Sequence, residues 1–411
     1  MSKPLIVLLL GLGAGLSALS VLPLIALEPP APTAREPVYM IILGEPEMFS
    51  KQYPAVPADR DRQIGFGIVI KMLNTPREAI RKQVTSALDK AEATGYPVLI
   101  HVDDWNFTPQ EWKDPEILEW TAFPKTGERF GPPVKRRWIN WGSWLVAGPP
   151  PNVESSKFRE YARERLEKDI ADPIALRLKR WKTEGRSYLF AGLVVGWETG
   201  FYTADTIDLT KRPSSEDKTF GADELVRTGY AALTARGHTA AAITERAQRE
   251  GKTRNALMNE LMWGALHDYS EYLCDVSRGA GLPRERIYTH YTAIGTVPDR
   301  GRIHADGMLA PLPTAANPSS RPGYTMTFKW FDRGVTEKTL TEMRCSEWGA
   351  VEVEITKATR SEMAALAHFD WLTKHGAKVI CLYGWRAKPD SIFAIQSTGA
   401  VPAIRRWLAE E

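Results

Sequence analysis

The chain alternates between two patterns. Apolar, strand-like runs recur from end to end, and most are followed by a stretch with helical spacing. Eight such runs stand out: "VYMIILGE" (38–45), "YPVLIHVDDW" (96–105), "RRWINWGSW" (136–144), "AGLVVGWETGFYT" (191–203), "ERIYTHYTAIG" (285–295), "YTMTFKW" (324–330), "GAVEVEI" (349–355) and "AKVICLYGW" (377–385). The helical stretches carry their own end signals. In "TPREAIRKQVTSALDKAEATG", Thr75 is an N-cap, Pro76 opens the first turn and Gly95 closes the helix. "SSKFREYARERLEKDIADPIALRLKRWKTEG" reads as a long charged helix interrupted at Pro173. Strand, helix, strand in succession implies parallel neighbours. Eight units in 411 residues favour an α/β fold closed as a single (β/α)8 TIM barrel over an open doubly wound sheet. No glycine-rich phosphate fingerprint follows the first strand, which argues against a dinucleotide site.

The start of the chain is of another kind. After Lys3, "PLIVLLLGLGAGLSALSVLPLIAL" is apolar to Leu27 and precedes the Pro-rich "EPPAPTAREP". A basic start and a Leu-rich run are the pattern of a secretory signal, with Ala18-Leu19-Ser20 as a weak cleavage site. The run is also long enough to stay as a membrane anchor through residues 5–27. The expected organisation is therefore a signal or anchor over 1–27, a linker over 28–37 and a barrel over 38–411. A helical insertion follows the fourth strand, with helices over about 222–281. The expected location is exported, periplasmic or extracellular. Cys274, Cys345 and Cys381 are too few for a disulfide framework and read as buried thiols with room for one bridge.

A net charge of +3 with dispersed basic residues excludes a nucleic-acid surface. Fourteen Trp residues, many of them in expected loops, suit flat sugar rings as well as a large core. In a (β/α)8 barrel the chemistry sits at the C-terminal strand ends. Those ends carry His101, Asp103, Asp104 and Trp105; Asn140 and Trp141; Trp197 and Glu198; His290 and Tyr291; Trp330; Glu352 and Glu354; and Tyr383 and Trp385. Carboxylates on the fourth and seventh strands would face each other across the mouth, one protonating a glycosidic oxygen and the other attacking the anomeric carbon. An apolar setting from Trp197 and Phe201 suits Glu198 to the acid role. Glu352 and Glu354 share a strand face. Glu354 lies nearer the mouth and is the expected nucleophile, with Glu352 and then Glu347 as alternatives.

"VVGWETG" and "LYGW" resemble the fourth and eighth strand ends of β-galactosidase-like members of the retaining glycoside hydrolases of clan A. The resemblance implies glutamates after strands four and seven as acid/base and nucleophile, an oligo- or polysaccharide substrate and no cofactor. The frequent Asn before the acid/base is Trp197 here, which leaves Asn140 or His290 to hold the sugar 2-hydroxyl. Two other classes compete. Asp103-Asp104 would suit a metal-dependent carbohydrate esterase, although the seven histidines are scattered and give no closely spaced pair, so no metal is expected. The third is a non-catalytic saccharide-binding barrel at the cell envelope.

Overall fold

The computed structural model describes residues 36–109, 111–135, 137–140, 144–201, 228–293, 309–326, 332–355, 360–384 and 395–410. Its main sheet is parallel at every pairing. In chain order its strands are β1 (Val38–Leu43), β2 (Arg62–Lys71), β3 (Val98–Asp103), β4 (Phe190–Val194), β5 in two pieces (Ile287–Tyr288 and Tyr291–Ala293), β6 (Gly323–Met326), β7 (Trp348–Val353) and β8 (Ala377–Leu382). A two-residue strand, Leu309–Ala310, pairs beside the second piece of β5. The first piece of β5 pairs with β4 and the second with β6. Only Thr289 and His290 separate the pieces, and the Thr289 amide donates to the Arg321 carbonyl at 3.2 Å while the Arg321 amide donates to Ile287 at 2.9 Å. The α/β sheet therefore curls back on itself.

Alternation along each strand builds two cores. Tyr39, Ile41, Leu99, Val194, Tyr288, Val351, Val379 and Cys381 pack together on the inner face. Met40, Ile42, Ile64, Phe66, Ile100, Leu193, Ala350 and Ile380 face the helices. Helix α1 (Arg77–Thr94) buries Ile80, Val84, Leu88 and Ala91, a spacing that makes one apolar stripe, and it ends on Gly95 at φ 76°, whose amide reaches the Ala91 carbonyl. Its first residue follows Pro76, one position later than the end signals predict.

Helices α2 (Ser156–Arg165) and α3 (Asp172–Thr183) run on through a π-type stretch, Leu166–Ala171. Pro173 lacks an amide proton, and the widened turn just before it accommodates that loss without a break. Helices α4 (Tyr230–Ala235), α5 (Ala240–Arg249) and α6 (Arg254–Gly279) fall within the helical stretch expected after the fourth strand. Helices α7 (Arg333–Glu342), α8 (Glu362–Lys374) and α9 (Ala400–Ala409) complete the outer layer.

Two strand assignments differ from expectation. The expected third strand is an antiparallel hairpin, Arg137–Asn140 with Trp144–Ala147, outside the main sheet. The real second strand, "RQIGFGIVIK", was not anticipated. These errors cancel, so the strand before Glu198 is still the fourth and the strand holding Glu352 the seventh. All three cysteines are buried free thiols, which removes the expected room for a bridge. The expected signal or anchor, along with Trp141, Trp330 and Trp385, lies outside the described residues. No helix among the described residues is long and apolar enough to cross a membrane.

Candidate active site

Strand β4 ends in a tight turn over Val195–Glu198. The Val195 amide donates to Tyr288 at 2.9 Å and the Glu198 amide to His290 at 3.1 Å, so the turn still follows β5. Gly196 has φ 78° and Glu198 φ 47°. A left-handed glutamate is strained and persists only where its surroundings hold it. The end of β3 supplies the hold. Asp104 Oδ1 accepts from the Gly196 amide at 2.9 Å, and Asn106 Nδ2 donates to the Trp197 carbonyl at 2.7 Å. Asp103 accepts from the amides of Trp105 and Asn106 at 3.2 and 2.8 Å, folding its own loop. The paired aspartates thus bind backbone amides and shape the turn.

Glu198 is buried. Its Oε1 accepts hydroxyl protons from Thr325 at 2.7 Å and Thr292 at 3.0 Å. The Thr325 oxygen is also 2.7 Å from His290 Nε2. A hydroxyl has one proton, so if Thr325 donates to Glu198 it accepts from His290, which then carries its proton on Nε2. Burial, helped by the neighbouring His101, pushes His290 well below the usual imidazole range. Burial likewise drops His101 to about 3. Both rings are therefore neutral, and both pack against the Trp197 indole with centroids 5.1 Å away.

Strand β7 brings the second carboxyl. Glu352 is in register with Thr325 on β6, so the two side chains share the inner face. Its Oε2 is 3.6 Å from His290 Nε2 and has no hydrogen-bond partner among the described residues. The ligand atoms of Glu198, His290 and Glu352 all lie within 4.8 Å of one another. Burial, then the charges of Glu198 and Glu354, push Glu352 well above the usual carboxyl range. Glu354 follows the strand end, and burial plus Glu198 raise it to about 7. The Tyr383 phenol is raised by burial and then by the charges of Glu352, Glu198 and Glu354. Three carboxyls this close do not all ionise at neutral pH, so the group keeps a proton while carrying charge.

Other expected site residues lie elsewhere. Tyr291 points outward, donating its hydroxyl to the Leu266 carbonyl of α6 at 2.9 Å, because it alternates with His290. Trp105 packs edge-on against Phe201 in the core. Glu347 precedes β7 at the opposite end of the sheet, paired with Arg321 and Lys378. Asn140 belongs to the hairpin rather than to the main sheet. Thr292, Thr325 and Asn106 were missed. Period-two spacing from His290 would have found Thr292, and the β6–β7 register would have found Thr325.

Glu198, His290 and Glu352 form one of two groups among the described residues able to hold a cation. The other, His267, Asp268 and Glu271 on α6, already ties Asp268 to Arg236.

No protein-family model matches the chain, and no curated protein matches it. Solved structures do. The chain is similar to Gan42B, a GH42 β-galactosidase from G. stearothermophilus, at 11% identity and a TM-score of 0.48, covering 90% of this chain and 57% of that one. It therefore spans little more than half of that enzyme's length. A GH5-4 broad specificity endoglucanase from an uncultured bacterium matches at 11% identity, a TM-score of 0.39 and coverages of 88% and 84%. PbGH5A, a glycoside hydrolase family 5 enzyme from Prevotella bryantii B14, matches at 11%, 0.36, and 91% and 96%. The structural neighbours of this chain are glycoside hydrolases.

Proposed function

We propose that the chain is a glycoside hydrolase acting with retention on an oligo- or polysaccharide, with its chemistry at the C-terminal ends of β4 and β7 of a closed (β/α)8 barrel. The observation that carries this reading is the approach of the Glu198 and Glu352 carboxyls, whose ligand atoms lie within 4.8 Å with His290. A retaining pair stands about 5–5.5 Å apart, whereas an inverting pair needs several ångströms more for water.

Glu198 is the acid/base. Two hydroxyls anchor its Oε1, which orients Oε2 for proton transfer to the glycosidic oxygen. Glu352 is taken as the nucleophile in preference to Glu354, because its oxygen stands within 4.8 Å of both Glu198 and His290. With sugar bound, the retained proton rides on Glu198 and the charge on Glu352. The leaving oxygen takes the proton, Glu352 forms the glycosyl ester, and water assisted by Glu198 then hydrolyses it. Tyr383, at the end of β8, is assigned the orienting of Glu352, while Trp197 and His101 shape the apolar floor. The reading includes export, supported by the apolar run up to Leu27.

Kinetics on aryl glycosides and natural oligosaccharides test it. Glu198→Gln should lose at least about a thousandfold on unactivated substrates yet keep partial activity on aryl glycosides with good leaving groups, which need little protonation. Glu352→Gln should lose both. Full activity in either variant refutes its role, and loss in Glu354→Gln alone returns the nucleophile to Glu354. The same trio of ligand atoms favours a second reading, a metal-dependent hydrolase. EDTA-sensitive activity restored by zinc would select it. Saccharide binding with no turnover would leave a non-catalytic barrel.

A further inference from the structure

Carboxyls withdrawn from solvent elsewhere in the chain come with compensation. Asp169 pairs with Arg77 and Arg81 of α1, each at 2.7 Å. Glu119 accepts from the amides of Gly229, Ala231 and Ala232 at 2.8, 3.1 and 3.2 Å, and Asp104 accepts from that of Gly196. Glu352 and Glu354 are unlike these. Among the described residues neither is paired with a Lys or Arg, and the basic group beside Glu352 is the neutral His290 at 3.6 Å. Glu352 Oε2 is buried with no hydrogen-bond partner among the described residues. The charges acting on the two are those of carboxyls, Glu198 on both and Glu354 on Glu352. An isolated buried charge is costly, so the balancing charge is left for a bound molecule to bring.

Glu354 is the group placed to meet it. A double displacement uses two carboxyls, and Glu354 is surplus to Glu198 and Glu352. It is half-buried, on the same strand face as Glu352 and two residues nearer the mouth. Burial and Glu198 raise it to about 7, so a cation beside it would draw its proton off. A metal ion on Glu198, His290 and Glu352 would occupy the oxygens that the hydrolysis needs, whereas an ammonium on Glu354 leaves them free. We propose that the sugar bound beside Glu198 carries an amino group and that Glu354 holds it as an ammonium–carboxylate pair. The proposal rests on the hydrolase reading for the placement of the sugar, although the preference can be read without turnover.

Calorimetry on the full chain at pH 7 tests it with glucosamine, N-acetylglucosamine and glucose and with their galacto and manno counterparts, which have no glycosidic bond to cut. Turnover of the matching nitrophenyl β-glycosides is measured alongside. The preferred amino sugar should bind at least about tenfold more tightly than its hydroxyl parent, and N-acetylation, which removes the charge, should abolish the gain. Titrations in two buffers of different ionisation heat should show proton release with the amino sugar alone. Glu354→Gln, close in shape, should bring amino and hydroxyl sugars within about twofold of each other and end the proton release. The hydroxyl-sugar binding that remains shows that the variant is folded. Equal affinity in the unaltered chain, or a preference that survives in the variant, overturns the proposal. So does binding of neutral sugars that EDTA removes and zinc restores, which makes a metal the counter-charge. Amino-sugar preference without turnover of any nitrophenyl glycoside upholds the pairing at Glu354 and refutes the hydrolase. Turnover with no such preference does the reverse.

Discussion

Thr325 donates its hydroxyl to Oε1 of Glu198 at 2.7 Å, joining two strands that are 127 residues apart in sequence. The bond fixes the carboxyl from β6, while Thr292 fixes the same oxygen from β5. One carboxyl oxygen thus has two donors from adjacent strands, and His290 sets the direction of the first by its 2.7 Å contact with Thr325.

Thr325→Val keeps the shape and removes the donor. A hydrogen bond to a charged group contributes about 1.5–3 kcal/mol. If the bond matters most in the transition state, kcat should fall about tenfold or more with little change in KM. Thr325→Ser should restore most of the rate. An unchanged kcat in the valine variant would show that Thr292 alone positions Glu198.

Asp104→Ala tests the hold on the turn. The substitution leaves the buried Gly196 amide without its acceptor, which costs about 1–3 kcal/mol. It also releases the left-handed Glu198, so activity should drop by more than the stability loss explains. Chemical denaturation with parallel kinetics separates the two. A fully active but destabilised variant would reduce Asp104 to a purely structural role.

The alternation of strands and helices was legible because period-two and period-3.6 patterns report burial directly. Strand β2 was not, because Gly65 and Gly67 look like breakers in "RQIGFGIVIK". The structure gives their reason. A Cβ on Gly65 would lie 2.1 Å from the Pro97 carbonyl oxygen, and one on Gly67 3.1 Å from Ile41 Cγ2, so neighbouring chain packs where side chains would stand. Glu198 was legible as a carboxylate at a strand end. Its helpers were not, since a threonine in a strand gives no sign of which carboxyl the register will set beside it. The acids of "HVDDW" suit sugar or metal ligation as well as the capping of a loop, and in the structure they take the last of these roles, which depends on backbone amides invisible in side-chain patterns.

Gly65→Ala turns that reading into a measurement. The clash is with backbone that cannot swing aside, so β2 or β3 must shift, and the loss should exceed about 2 kcal/mol. Gly279→Ala is the control, since it closes α6 and nothing among the described residues stands within 4 Å of the added Cβ. That helical substitution should be neutral or stabilising by a few tenths of a kcal/mol. Comparable unfolding midpoints for the two variants would contradict the packing account of β2.

Burial pushes Glu354 to about 7, so in the folded chain it keeps its proton where the unfolded chain has lost it. Between about pH 4.5 and 7 the folded state therefore binds more protons at this site, and rising pH favours unfolding. The buried imidazoles work the other way. His101 and His368 titrate near 3 when folded, so falling pH below about 6.5 favours unfolding by protonating them there. The two sets offset each other in mildly acidic solution, which makes the total pH profile a poor test and a difference profile a good one. Glu354→Gln removes only the first contribution. Relative to the unaltered chain, the variant should gain stability steadily from about pH 4.5 to 7 and hold that gain at pH 8, by up to about 3 kcal/mol. Denaturant midpoints at pH 5 and pH 8 give the sign. A difference that does not change between them would mean that Glu354 ionises normally and is not part of the coupled carboxyl group.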